Sequence, residues 1–265
     1  LSDLLKFLEA GEAAARAGGA VLLDWADRFH VREKGPSDLV TEADEASQEA
    51  VRSVLLGAFP KHGFLSEENL SIDSTDNGYR WIVDPLDGTT NYVHAIPNYA
   101  VSIALEQHGN ILVGVVFNPV TNECFKAVAG GGAFLNDKPL RTSRVQELRQ
   151  AVVAMSFPPR IERGSPELDE FQIMSTEAQS LRRIGSSAMN LCYVAAGRFD
   201  AYWSTKTKIW DIAAGVLLVL EAGGIVTDRT GGPFRVEPPH FIAGSTRSLH
   251  AQVLATLAKA GDESK

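Results

Sequence analysis

The chain has 265 residues, 45% of them hydrophobic, which suffices for one large domain or two modest ones around a full core. Its 33 acidic residues outnumber 25 Lys and Arg, giving a net charge of −8, and no basic tract offsets this, so broad binding to nucleic acid or to anionic membranes is not expected. Cys124 and Cys192 form no CxxC, which argues against a disulfide framework or a cysteine metal cluster, and without an apolar run of transmembrane length or a charged-then-apolar leader before Asp24 a reducing cytoplasm is the expected location.

Leu4, Leu5, Leu8, Ala15, Leu22, Trp25 and Phe29 predict an amphipathic N-terminal helical region. After Lys34-Gly35-Pro36-Ser37-Asp38-Leu39-Val40, the run Thr41-Glu42-Ala43-Asp44 has the form of a capping box, and Val51, Val54, Leu55 and Ala58 follow at helical spacing. Both helices are expected to pack on a sheet. Next, His62-Gly63-Phe64-Leu65-Ser66-Glu67-Glu68 is a short apolar run ending on two acids, which by themselves read as a solvated turn.

Trp81-Ile82-Val83 suits a buried strand, and Pro85, lacking an amide N–H for a ladder, predicts that the chain leaves the sheet at Asp84. Asp84 and Asp87 then stand at a strand end. Asp87-Gly88-Thr89-Thr90 can open a helix, whose first N–H groups and positive dipole end suit an anion. Asp-Pro and Asp-Gly are also ordinary turn dipeptides, but hard carboxylate oxygens beside an anion cradle suit magnesium.

Val101, Ile103 and Leu105 alternate with smaller or polar residues, Gly109-Asn110 punctuates before Ile111 to Phe117, and Asn118-Pro119 precedes Glu123 to Val128, which together predict an antiparallel meander. Gly130-Gly131-Gly132 opens no helix and reads as a hairpin turn rather than a nucleotide loop. Beyond about Val145 strands alternate with helices: strand Ala151 to Met155, helix Glu167 to Ala178, strand Leu181 to Ile184 and a small-residue helix from Ser187. An apolar helix opens at Ile209, holds Asp211 in its first turn and stops at Ala222-Gly223-Gly224. An acid there favours a helix start even without a metal. Strands Ile225 to Thr227 and Phe241 to Ala243 and a final helix Leu249 to Ala258 complete the pattern. The expected division is an N-terminal lobe, residues 1–145, and a C-terminal lobe, residues 146–265, with the site between them.

Four of these segments, in order, resemble the signatures of the inositol monophosphatase family, part of a lithium-sensitive, magnesium-dependent phosphatase superfamily. They are Asp38-Leu39-Val40-Thr41 with Asp44, the Glu67-Glu68 pair, Asp84-Pro85-Leu86-Asp87-Gly88-Thr89-Thr90-Asn91, and Trp210-Asp211 with Ala213-Ala214 ahead of Glu221-Ala222-Gly223-Gly224. The likeness extends from Asp38 to about Gly244. It implies an α+β fold, a layered αβαβα sandwich, and usually a homodimer. It further implies that Glu67, Asp84 and the Leu86 carbonyl hold one magnesium, that Asp84, Asp87 and Asp211 hold a second, and that a third, weaker ion can share Glu67. Thr89 and Asp44 would act together on the attacking water, and Lys34 would support the surrounding charge network. The Gly88 and Thr89 amides would bind phosphate oxygens, with Asp87, Ser187, Ser204 and Asp211 beside the substrate. Ser66 stands where the family usually has Gly, a mild departure.

The resemblance makes magnesium-dependent hydrolysis of inositol-1-phosphate, or of a similar small polyol monophosphate, the expected activity, with inhibition by lithium. Inositol-directed members carry a Glu after the Asp-Ala-Tyr strand, whereas here Asp200-Ala201-Tyr202-Trp203 is followed by Ser204, with Lys206 and Lys208 close behind. Those lysines read either as a solvated loop or as pocket cations that would welcome a second anionic group and disfavour the amine of histidinol phosphate. A sugar bisphosphate, histidinol-phosphate or phosphoadenosine-phosphate phosphatase on the same scaffold is the alternative. Thr90 leans towards inositol phosphates, because Lys often stands there in nucleotide-phosphate members. A non-catalytic interaction protein is the alternative of another class.

Overall fold

The computed structural model of the chain describes residues 2–26, 28–35, 38–158, 160–237 and 240–260, and at 33–35, 38 and 39 the backbone only. Helices α1 (Ser2–Trp25) and α2 (Glu42–Ala58) pack together, joined through an antiparallel hairpin of β1 (Val31–Gly35) and β2 (Asp38–Thr41). They cover one face of an eight-stranded sheet. Its strands are β3 (Gly63–Ser66), β4 (Ser71–Ile72), β5 (Tyr79–Asp87), β6 (Ala100–Gln107), β7 (Asn110–Asn118), β8 (Glu123–Val128), β9 (Gly132–Leu135) and β10 (Lys138–Pro139), in spatial order β10-β9-β8-β7-β6-β5-β3-β4. Only β3 and β5 are parallel neighbours; the rest form the meander and its hairpins. Helix α3 (Thr89–Val93) leaves the end of β5.

A second, five-stranded sheet holds β11 (Val152–Ser156), β12 (Ser180–Arg182), β13 (Ala201–Ser204), β14 (Ile225–Thr227) and β15 (Phe241–Gly244), in order β12-β11-β13-β15-β14. Strands β12, β11 and β13 run parallel. Helix α4 (Pro166–Glu177) lies on its outer face, α5 (Ser187–Ala195) and α6 (Ile209–Glu221) fill the space between the sheets, and α7 (Arg247–Ala260) packs outside beside α4.

Side-chain alternation builds these layers. On β5, Ile82 joins Ala104, Val116, Met189, Ile212 and Leu218 between the sheets, whereas Trp81 and Val83 turn to Phe7, Val51 and Leu55 on the α1–α2 side. On the second sheet Ala154, Tyr202 and Ala243 face inward, and Val153, Met155, Trp203 and Ile242 meet Leu249 and Val253 outside. Because α6 sits between two sheets, its residues from Ile212 to Val219 are buried without interruption, as a helix with no solvent face requires. The result is the expected αβαβα sandwich.

One local expectation fails. Strand β5 does not end at Asp84 but continues to Asp87, with Asp84 opposite Ser102 and Asp87 opposite Ala100. The surplus residue makes a bulge, and a proline in a bulge owes the ladder no N–H. Ser47 of α2, fully buried, donates its hydroxyl to the Pro85 carbonyl at 2.9 Å and so ties the helix to the bulge. The β1–β2 hairpin was not legible, since Val31-Arg32-Glu33-Lys34 carries no apolar alternation. The glycine run behaves as expected: Gly131 donates to the Val128 carbonyl at 2.8 Å, closing the turn into β9.

Gly114 on β7 sets the distance to α6. A Cβ there would come within 2.7 Å of the Ala214 carbonyl oxygen and 3.1 Å of its Cα. Gly114→Ala should therefore push α6, which carries Asp211, away from the sheet and destabilise the fold by about 1–3 kcal/mol. Thermal melting of the variant is the measurement, and an unchanged melting temperature would show slack in this contact.

Candidate active site

A cleft of about 890 Å³ opens where the first turns of α3, α5 and α6 approach the bulge of β5. Glu67, Asp84, Asp87 and Asp211 all line it, together with Leu86, Gly88 and Thr89. The parallel pairing of β3 with β5 sets Ser66 opposite Val83, and the Glu67 N–H donates to the Val83 carbonyl at 3.2 Å, which brings Glu67 beside Asp84. Asp84 is 2% exposed, and its Oδ1 accepts the Leu86 N–H at 3.0 Å. Asp87 closes the start of α5, accepting the Ser186 hydroxyl, the Ala188 N–H at 2.7 Å and the Ser187 N–H at 3.3 Å. Asp211, half-buried, accepts the Lys208 N–H at 2.8 Å.

Asp44 is buried and closes the expected capping box with Thr41 as the cap: one carboxylate oxygen accepts the Thr41 N–H at 2.8 Å and hydroxyl at 2.7 Å. Its other oxygen lies 3.4 Å from the Thr89 hydroxyl, which also reaches the Leu86 carbonyl at 3.2 Å. Gly88, at φ +99°, makes the turn into α3; a Cβ there would press on the Asn98 and Gly185 carbonyls at 3.1 and 3.2 Å.

Loss of hydration dominates the electrostatics. Burial, then the charges of Glu67, Asp87 and Asp211, hold the Asp84 carboxyl well above the ordinary range. Asp211 is raised for the same first reason and then by Asp87; it keeps some exposed surface, yet enough protein surrounds it for desolvation to lead. Asp87 is pushed up to about 6 by burial, against the lowering effect of its bonds from Ser186, Ala188 and Ser187. Asp44 rises to about 7 through burial, partly opposed by Thr41 and reinforced by Glu68 and Glu67.

Such a cluster calls for an external cation. All its donors are hard oxygens, the kind magnesium prefers. Among the described residues no three acids are gathered so as to hold an ion unaided. That still suits magnesium, which commonly keeps several waters and binds through one or two carboxylates plus substrate phosphate.

Other expected residues fall unevenly. Ser187 lines the cleft, with its N–H turned to Asp87 and its hydroxyl accepting from Tyr202 at 3.0 Å. Ser204 is not at the cleft surface: it ends β13 between β11 and β15, is buried, and points its hydroxyl at the Ser156 carbonyl at 3.4 Å. Lys206 lines the cleft and Lys208 does not. Lys34 lies on β1, and its side chain falls outside the described residues.

Sequence reading passed over several contributors. Asn91 donates to the Asn98 carbonyl at 2.6 Å and the Ile184 carbonyl at 2.8 Å, and Asn98 donates to Ile184 at 2.9 Å, so the two halves of the cleft are clamped. Asn91 ends the Asp84-to-Asn91 motif, and Ser186 was readable as an N-cap; its hydroxyl also accepts the Met189 N–H. Ser47 had no local signal, because its partner is 38 residues away. Arg182 and Arg183 also line the cleft.

The raised Asp84 carboxyl sets a sign for stability. The folded metal-free chain keeps a proton that the unfolded chain releases at about pH 4, so this group's contribution falls as pH rises above that value. Asp84→Asn, whose Oδ1 can still accept from Leu86, should raise the metal-free melting temperature at pH 7 by ~3 °C or more. The gain should shrink towards pH 4, and the stabilisation that magnesium gives wild type should be lost. Melting curves with and without magnesium read both effects; a lower metal-free melting temperature in the variant would contradict the account.

Comparison with known proteins agrees with this geometry. The profile of the inositol monophosphatase family matches residues 3–262. An inositol-1-monophosphatase of Rhizobium meliloti is 44% identical over 239 residues, covering 89% of this chain and 88% of the relative. A protein of Pseudomonas aeruginosa named Nus factor SuhB is 40% identical over 246 residues, covering 90% and 91%. Among solved structures, the extragenic suppressor protein suhB from Bartonella henselae superposes with a TM-score of 0.91 at 41% identity, over 96% of this chain and 99% of that one. The inositol monophosphatase from Anabaena gives 0.87 at 36% identity, over 97% of each chain. With fold, cleft and sequence in agreement along nearly its whole length, this chain belongs to the inositol monophosphatase family of phosphoric monoester hydrolases.

Proposed function

We propose that the chain hydrolyses inositol-1-phosphate or a similar small polyol monophosphate, dependent on magnesium and acting as a cytoplasmic homodimer. The observation that carries the reading is the Thr89–Asp44 contact beside four cleft carboxylates, three of which, Asp84, Asp87 and Asp211, are raised first by loss of hydration. Glu67, Asp84, Asp87, Asp211 and the Leu86 carbonyl would hold the ions. Magnesium there supplies positive charge that acidifies water and stabilises a leaving alkoxide.

The chain's own groups do the rest by position. The amides of Gly88 and Thr89 contact phosphate oxygens at the turn into α3. Thr89 gives its hydroxyl hydrogen towards Asp44, leaving a lone pair to accept from the attacking water. The water oxygen bonds to phosphorus as the ester P–O bond breaks, its proton leaves through Thr89 towards Asp44, and the departing oxygen takes up a proton from solvent water, yielding the alcohol and inorganic phosphate. No covalent phosphoenzyme is involved.

If Thr89 and Asp44 act as a unit, Thr89→Ala and Asp44→Asn should each lower kcat by about 10²-fold or more with little change in KM, and the double variant should lose scarcely more than either. The amide oxygen of Asn can still accept the Thr41 N–H, and the change removes a carboxyl that burial raises to about 7, so the melting temperature at neutral pH should hold or rise. A normal rate in Asp44→Asn would remove it from the mechanism. Because Asp44 must be ionised to accept a proton and burial raises it to about 7, kcat in wild type should rise with pH up to that point, and bound cations move the limb lower. Lithium should inhibit, and a flat lithium titration would count against the second ion site.

The relatives named Nus factor SuhB favour a second reading, a partner-binding role. A phosphate-release screen with magnesium over inositol phosphates, sugar bisphosphates, histidinol phosphate and phosphoadenosine phosphate separates the two. Release from none of them would leave only the partner-binding reading.

A further inference from the structure

The three parallel strands of the second sheet end on the same edge, as parallel order requires, and that edge is one wall of the cleft. Strand β12 delivers Arg182 and then Arg183, β11 delivers Ser156 and then Phe157, and the loop after β13 delivers Lys206. In a chain with net charge −8, a wall with three cations would ordinarily collect acidic partners. Among the described residues none of the three lies within ion-pair distance of a carboxylate. Arg182 donates to the Leu181 carbonyl and the Ser180 hydroxyl, and Arg183 stacks over Phe157 at 5.1 Å from the ring centroid. The wall is fixed relative to the catalytic turn, because Asn91 and Asn98 both hold the carbonyl of Ile184, the residue after Arg183. The lysine loop is held from the other side, where Thr205 donates to the buried Glu167 at 2.9 Å.

We infer that Arg182, Arg183 and Lys206 form a subsite for a second anionic group, a phosphate carried by the same polyol whose first phosphate is hydrolysed at the carboxylate end. This rests on the phosphatase reading and extends its substrate class from polyol monophosphates to polyol bisphosphates, which become the preferred substrates. The two ends of the cleft have opposite character: one is acidic and needs cations, the other is cationic and lacks anions. A ligand with two phosphates satisfies both at once, one through bound ions and one through charge-assisted hydrogen bonds from guanidinium and ammonium groups. A cleft of about 890 Å³ has room for such a ligand. With Ser204 buried behind the wall, no carboxylate from β13 reaches the surface to cancel the charge.

The test is steady-state phosphate release at saturating magnesium from inositol 1-phosphate and inositol 1,4-bisphosphate. Wild type should favour the bisphosphate in kcat/KM by at least about tenfold. In the triple variant Arg182→Gln, Arg183→Gln, Lys206→Gln that ratio should fall towards one, chiefly through KM for the bisphosphate. Lys206→Gln alone, a change in an exposed loop, should lower the ratio about threefold and serves if the triple variant does not fold. Lys61→Gln, at an exposed position outside the cleft, should leave the ratio within twofold. A ratio near one in wild type, with phosphate still released, overturns the subsite and leaves the phosphatase reading standing. No release from either compound overturns both. If sulfate accelerates inositol 1-phosphate hydrolysis and the bisphosphate has no advantage, the wall takes a free anion and the proposal fails. If the triple variant changes only its gel-filtration position and not the ratio, the cations serve an interface and the proposal also fails.

Discussion

Carboxylates withdrawn from water without a counter-charge are among the costliest groups a fold can retain. This chain retains Asp84, Asp87 and Asp211 in one cleft with Glu67 at its side. What makes that tolerable before any cation arrives is the placement of helix starts. Asp87 sits at the first amides of α5, Asp211 lies in the first turn of α6, and Asp44 lies in the first turn of α2, where it accepts the Thr41 N–H. Each acid thus meets backbone N–H groups and the positive end of a helix dipole. The two helices that begin at the site are also the layer between the sheets, so the need to stabilise the acids and the need to fill the core are met by the same elements.

The bulge in β5 is the second requirement. Residues three apart on a regular strand face opposite sides of the sheet, so Asp84 and Asp87 could not both reach the cleft from an unbroken ladder. One surplus residue between them restores the alignment, since Asp84 and Asp87 pair with Ser102 and Ala100, two apart. Pro85 fits a position where no ladder N–H is needed, and Ser47 satisfies the carbonyl left there. Gly18 on α1 makes room for that serine, as a Cβ at Gly18 would lie 2.8 Å from its hydroxyl oxygen.

Much of this was legible in the sequence where the signal was local. The Thr41-x-x-Asp44 cap, the meander, the glycine hairpin and the bounds of the helix from Ile209 to Glu221 all depend on neighbours within a few residues, and they appear as read. The five layers came from the family likeness, not from periodicity, and beyond the meander the order of the strands within each sheet was not read at all. Pro85 misled because a missing N–H ends a regular ladder but not a bulged one. Ser204 misled because a position in the chain does not say on which side of a central strand the hydroxyl lies. Ser47, Asn91 and the arginine wall were out of reach for a single reason: their partners are set by topology, across 38 residues for Ser47 and 93 for Asn91 with Ile184.

Binding and folding are consequently joined at this cleft. A cation that binds the folded cluster and not the unfolded chain adds RT ln(1 + [L]/Kd) to stability, about 2.7 kcal/mol at a hundredfold excess over Kd. That gain is realised where the acids are most strained, at the bulge and at the starts of α5 and α6. These are the same elements whose first residues would position phosphate and water. The geometry that makes the metal-free cleft unfavourable is therefore the geometry that prepares it for charge: the protein need not rearrange its carboxylates to receive a cation, because bulge, caps and helix starts already hold them where repulsion is greatest.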